Sequence, residues 1–208
     1  MIRQVLASSF SKSLPAPAIT RRVAVPYLAS VTRQRLFATT PDSATVAKAR
    51  DLFNEGTNRW NKNDLNGARD AFQESTKLHA TSDNFYNLGN SLYSLGKNEE
   101  AVSAWQQCIA IEPNQLDAHV NLANVYALHL KNVEKAMEHY QIAVDINPVD
   151  GEVQYNYGVV LDSVGRLEDA IEMYEAALAN GIKQAETNLK NATARWLGKQ
   201  IEASKKDA

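Results

Sequence analysis

Four asparagines, Asn54, Asn87, Asn121 and Asn156, stand 33, 34 and 35 residues apart in a chain of 208. A primary amide both donates and accepts hydrogen bonds, so a row of amides can hold a peptide main chain without selecting its side chains. The same recurrence has a structural alternative, in which each amide bonds to the next copy of the unit that carries it. Other chemistry finds no pattern. His79, His119, His129 and His139 lack the i, i+4 spacing of a helical metal pair, and no Cys-x-x-Cys, nucleophile elbow or phosphate-binding glycine loop occurs. His119 and His139 fall on two helices of one unit and could approach, with surface histidines as the ordinary alternative. The acid pairs Glu99-Glu100 and Glu168-Asp169 fall in first turns of predicted helices, where the helix dipole accounts for them. Neither a metal, nor a cofactor, nor a catalytic residue is expected. Cys108 is the one cysteine, which excludes an internal disulfide, and it stands where a small buried side chain is needed.

The amides recur because the elements beneath them recur. In residues 82–114 the types alternate between large and small: Phe85, Leu88, Gly89, Leu92, Ala101, Trp105, Cys108 and then Pro113. Helices predicted over 83–95 and 99–112 can cross closely only where Gly89, Ala101 and Cys108 keep side chains short. Gly96 suits the left-handed end of the first helix, Asn98 the N-cap of the second, and Pro113 its stop. In these residues the segment resembles a tetratricopeptide repeat. The resemblance implies an all-α fold, a right-handed α-solenoid of stacked antiparallel helix pairs closed by a C-terminal capping helix. Residues 43–199 are expected to form it, as repeats over about 49–81, 82–115, 116–150 and 151–182 and a capping helix over 183–199. The first repeat is degenerate: Leu52, Gly56, Ala68, Phe72 and Ser75 keep the pattern, whereas Glu55 and Arg59 put charge where apolar residues are usual. The third keeps Leu122, Ala123, Tyr126, Ala136, Tyr140, Ala143 and Pro148, with one extra residue expected in the turn around 129–132. The fourth keeps Tyr157, Gly158, Leu161, Ala170, Tyr174 and Ala177 and is expected to end at Asn180-Gly181. Ala185, Leu189, Ala192 and Trp196 form one face of the capping helix, and residues 200–208 read as a frayed tail.

The resemblance also implies where the amides point. Their position in the repeat faces the concave surface in this family, as in the asparagine ladder of O-linked N-acetylglucosamine transferase. The implied groove is lined by Phe53, Asn54, Trp60, Tyr86, Asn87, Asn90, Tyr93, Asn121, Asn124, Leu128, Tyr155 and Asn156, and it takes a protein or peptide partner unless a terminal segment of the chain fills it. Family members that hold chaperone tails use a basic and amide clamp. Its places here are Phe53, Thr57, Asn87, Asp117 and Asn121, and only Asn87 matches, so carboxylate-clamp docking is disfavoured.

The net charge of −2 hides two unlike parts. The first 41 residues hold six basic residues and no acid, leaving 16 of the 22 Lys and Arg against all 24 Asp and Glu in the remainder, a net charge of about −8. That balance disfavours a nucleic-acid partner. No apolar run approaches the ~18 residues of a membrane span. Residues 1–37 are hydroxyl-rich, with Ile2, Leu6, Phe10 and Leu14 on one helical stripe, and resemble a mitochondrial transit peptide ending near Arg35-Leu36-Phe37-Ala38; a basic tail is the alternative. Residues 38–42 read as a linker. The expectation is a mitochondrial, matrix-delivered, non-catalytic adaptor, possessing an assembly or quality-control role, or else a permanent subunit of a large mitochondrial complex.

Overall fold

The structure is a computed structural model and describes residues 41–206. The expected transit peptide and most of the linker lie outside them. Within them the chain is all helix and turn: α1 Ser43–Asn61, α2 Leu65–Leu78, α3 Ser82–Ser94, α4 Asn98–Ile111, α5 Leu116–Leu128, α6 Val133–Ile146, α7 Gly151–Ser163, α8 Leu167–Ala179 and α9 Ala185–Lys206. Consecutive helices pair as α1/α2, α3/α4, α5/α6 and α7/α8. The pairs stack as a tetratricopeptide-type superhelix, and α9 packs on α8 as its cap.

The crossings follow from side-chain size. Gly89 of α3 faces Trp105 of α4 so closely that an added Cβ would stand 2.5 Å from the indole nitrogen. Gly56 against Phe72 and Gly158 against Tyr174 repeat the arrangement at 2.7 and 2.8 Å. Ala68, Ala101, Cys108, Ala136, Ala143, Ala170 and Ala177 are wholly buried beside these aromatics, so the small and large classes interlock as one continuous core.

Polar side chains set the helix starts. Asp42, Asp64, Thr81, Gln115, Asn132 and Asp150 each accept a backbone N–H from three residues on, at 2.7–3.2 Å. The expected cap at Asn98 is absent: the helix begins one residue earlier, Lys97 stands at the cap without a side-chain bond, and Asn98 is already helical. Glu99 and Glu100 in that first turn carry the dipole compensation instead. Gly96 and Gly165 close α3 and α7 with φ of 75° and 78°. At the same place after α5 stands Lys131, φ 53°, where the extra residue of the third repeat widens the turn. The last helix also differs from expectation. It runs to Lys206 rather than ending at 199, because nothing from Lys199 onward breaks it: the tail has neither glycine nor proline.

Candidate functional site

The first helices of the pairs, α1, α3, α5 and α7, with α9 beside them, form a row, and all twelve residues expected to line a groove sit on the first four. Their amides divide into two kinds. Asn121 Nδ2 donates to Asn90 Oδ1 at 3.1 Å, and the same oxygen accepts Trp105 Nε1 at 3.1 Å. One carbonyl therefore joins α3, α4 and α5. Asn124 Oδ1 likewise accepts the Tyr140 hydroxyl. Asn87 Nδ2 is turned back onto the Asp83 carbonyl of its own helix at 2.8 Å, and its oxygen has no partner among the described residues. Asn54 is exposed and Asn156 half-buried, and neither has a hydrogen-bond partner among the described residues. Asn90 and Asn124, expected as ligand contacts, are thus internal ties, because each faces an aromatic polar tip from the second helix of its own pair.

The aromatics are anchored at one edge and open at the other. Phe53 packs on Phe72 at 5.5 Å, Tyr93 on Trp105 at 5.9 Å and Tyr155 on Tyr174 at 6.0 Å. Asn188 of α9 donates to the Tyr155 and Tyr174 hydroxyls at 3.4 and 3.3 Å. The Tyr93 hydroxyl meets His129 Nε2 at 3.3 Å, and that ring stands edge-on to Tyr93. Tyr86 and Trp60 are half-buried against the core. Burial raises the Tyr86 pKa, the neighbouring Asn90 and Asn121 amides oppose the rise, and the nearby Asp117 carboxylate adds to it. Leu128 is 60% exposed. Between α1 and α3 the row opens into a cavity lined by Arg50, Phe53, Asp83 and Asn84. Tyrosine and phenylalanine edges beside uncommitted amides can pack an apolar side chain and hydrogen-bond its backbone.

Of the histidines, His129 is exposed, His79 and His139 are half-buried and His119 is buried. His119 is 3% exposed, and its Nε2 donates to the Pro113 carbonyl at 3.0 Å. Its Nδ1 is therefore the acceptor, and His139 Nδ1 donates to it at 3.1 Å. Burial depresses both: His119 is lowered, and His139 falls to about 4, with His119 and Lys135 adding to the effect. Tyr126 stacks parallel to His139 at 5.8 Å.

Sequence reasoning passed over one recurring device. Gln154 donates to the Pro148 carbonyl at 2.9 Å, as His119 does to Pro113, and both are buried. Each ties the first helix of a repeat to the turn that closes the one before. The signal was a polar residue six places after each closing proline, where a large apolar residue is usual. Cys108 is buried and its thiol is pushed up to about 11 by burial, so it packs rather than reacts.

Fold and row together define an α-solenoid repeat protein. Tetratricopeptide repeat models match residues 89–129, 116–150 and 151–202, so the chain carries tetratricopeptide repeats across that span. The peroxisomal targeting signal receptor of Candida glabrata is 30% identical over 86 residues, 41% of this chain and 14% of the receptor. The photosystem I assembly protein Ycf3 of a Synechococcus strain is 30% identical over 84 residues, 39% of this chain and 49% of that protein. The match thus spans no more than about half the length of either relative. Among solved structures, the MamA protein superposes with a TM-score of 0.62 at 20% identity, over 76% of this chain and 93% of that one, which is a likeness of fold.

Proposed function

We propose that this chain is a non-catalytic adaptor in mitochondria whose concave face, formed by α1, α3, α5 and α7, captures an extended segment of a partner protein. The observation that carries the proposal is the division among the amides: Asn90, Asn121 and Asn124 are spent on internal ties, while Asn54, Asn156 and the Asn87 oxygen are left open beside Phe53, Tyr86 and Tyr155. Relatives named as a targeting-signal receptor and as an assembly protein support a partner-binding task. The mitochondrial setting rests on the acid-free basic stretch ahead of Asp42. A chaperone-tail partner is disfavoured, since Asp117 stands where the clamp needs a cation.

Affinity capture from mitochondrial extract tests the adaptor reading. Replacing Asn54, Asn87 and Asn156 by alanine is expected to abolish capture of specific partners while leaving helicity unchanged, and undiminished capture overturns it. Import of the full chain into isolated mitochondria, with trimming near Ala38, tests the location independently; a chain left outside and uncut refutes that part alone.

A further inference from the structure

Charge on the same row says what the captured segment carries. The second residue of the second, third and fourth repeats is Asp83 in α3, Asp117 in α5 and Glu152 in α7, with Glu186 at the matching place in α9; the first repeat has Arg50 there. Asp83, Asp117 and Glu152 are exposed, and among the described residues none of the three is within 4.0 Å of a lysine, arginine or histidine nitrogen, whereas Glu186 is taken up by Lys190. A second, separate observation is the absence of cations: α3, α5 and α7 contain no lysine or arginine at all. Their fourth acid, Asp162, is already paired with Arg195 of α9. Each of the three free carboxylates lies in a first turn, where the helix dipole favours it, but the dipole does not account for the missing counter-charge on α3, α5 and α7. Asp83 lines the cavity between α1 and α3 together with Phe53 and Arg50, which puts it beside the aromatic and amide row rather than on another face.

We infer that the occupant of this face is a basic, extended segment with lysine or arginine at every third residue, each cation meeting one of Asp83, Asp117 and Glu152 while its backbone lies along the amides. This rests on the groove reading above. The spacing follows from geometry: the Asn121–Asn90 bond makes α3 and α5 neighbours, neighbouring helices lie about 8–10 Å apart when packed, and an extended or polyproline chain advances about 3.1–3.4 Å per residue, so successive rungs are at least about three residues apart. A cluster of adjacent lysines would reach one rung only.

Three fluorescein-labelled peptides of ten residues decide it by anisotropy against the full chain: alanine-serine backbones with lysine at every third position, with the same number of lysines adjacent, and with glutamine at every third position. The spaced lysine peptide is expected to bind at least 10-fold tighter than either other one and to weaken as salt rises. The variant Asp83→Asn/Asp117→Asn/Glu152→Gln should lose that advantage. A second variant, Glu99→Gln/Glu134→Gln/Glu175→Gln, removes equal charge from the partner helices α4, α6 and α8 and should keep it. Equal losses in both variants, or equal binding of spaced and adjacent lysines, overturns the inference as non-specific attraction. Binding of the glutamine peptide as tight as the spaced lysine peptide, lost on replacing Asn54, Asn87 and Asn156 by alanine, also overturns it while leaving the groove itself standing. No binding of any peptide overturns both.

Discussion

Asn90 and Asn156 occupy similar exposed-looking places in the sequence and have opposite roles in the structure, which single substitutions can separate. Asn90→Ala removes the acceptor shared by Trp105 Nε1 and Asn121 Nδ2 and leaves the buried indole N–H unpaired, at a cost of about 1–3 kcal/mol in denaturant unfolding. Asn156→Ala breaks no bond among the described residues, so its unfolding midpoint should stay put. Gly89→Ala should also cost about 1–3 kcal/mol, because its methyl would meet the Trp105 ring at the closest crossing in the repeat. The histidine pair makes stability depend on pH. Both imidazoles are neutral in the fold, and their pKa values lie below those of the unfolded chain, so between about pH 6.5 and pH 4 the unfolded state binds more protons. Stability contributed by the pair is complete above that window and is lost as pH falls through it, on the order of 3 kcal/mol from His139 with a further part from His119. Gln154 shows that glutamine makes the same bond to a closing proline, so His119→Gln/His139→Gln should flatten that part of the profile while folding normally. A difference between wild type and variant that is constant from pH 7 to pH 4 would refute the assignment.

At the level of helices, most of the fold was legible and the reasons are specific. The alternation of Gly89, Ala101 and Cys108 with Leu92 and Trp105 requires two helices in contact, and helix boundaries came within about a residue of the observed ones in the second repeat. Boundaries went astray where capping is a contest. Asn98 looked like a cap, but the short turn after Gly96 places the helix start one residue earlier. The extent of α9 was hidden because no residue past Lys199 marks a stop, and a helix with one half uncovered leaves no apolar stripe to read: Leu197 and Ile201 are exposed. The candidate site was legible in position only. Repeat phase located the amides, but whether each one met a neighbour depended on the residue facing it, Trp105 or Tyr140 in two cases, which spacing cannot supply. The Lys131 turn gives a test at this scale. A lysine at φ 53° carries backbone strain that glycine does not, so Lys131→Gly should be neutral or stabilising by up to about 1 kcal/mol, despite the added freedom of the unfolded chain. A clear loss of stability would show that the bond from Lys131 Nζ to the Leu128 carbonyl outweighs the strain.

Across the molecule, each helix pair buries its own crossing and leans on its neighbours for the rest, so stability should be graded along the stack rather than uniform. The two ends are finished differently. At the first repeat, Glu55, Arg59 and Asp64 form an exposed charge network, worth little in itself but compatible with water. At the other end α9 buries Ala185 and Ala192, while Trp196 Nε1 reaches Glu168 and Arg195 reaches Asp162, so α8 is covered by packing and not merely made polar. The centre has cover on both sides and, in addition, the ties from Asn121 to Asn90, His119 to Pro113 and Gln154 to Pro148 across its repeat junctions. Native-state hydrogen exchange should therefore show the slowest amides in α3 to α7, faster ones in α1, and the fastest helical amides in α9 beyond Gln200. Deleting residues 183–208 should accelerate α7 and α8 far more than α3, since α9 packs on the former pair. Equal acceleration throughout would mean the stack opens as a single unit, and the nearest-neighbour account of its stability would fail.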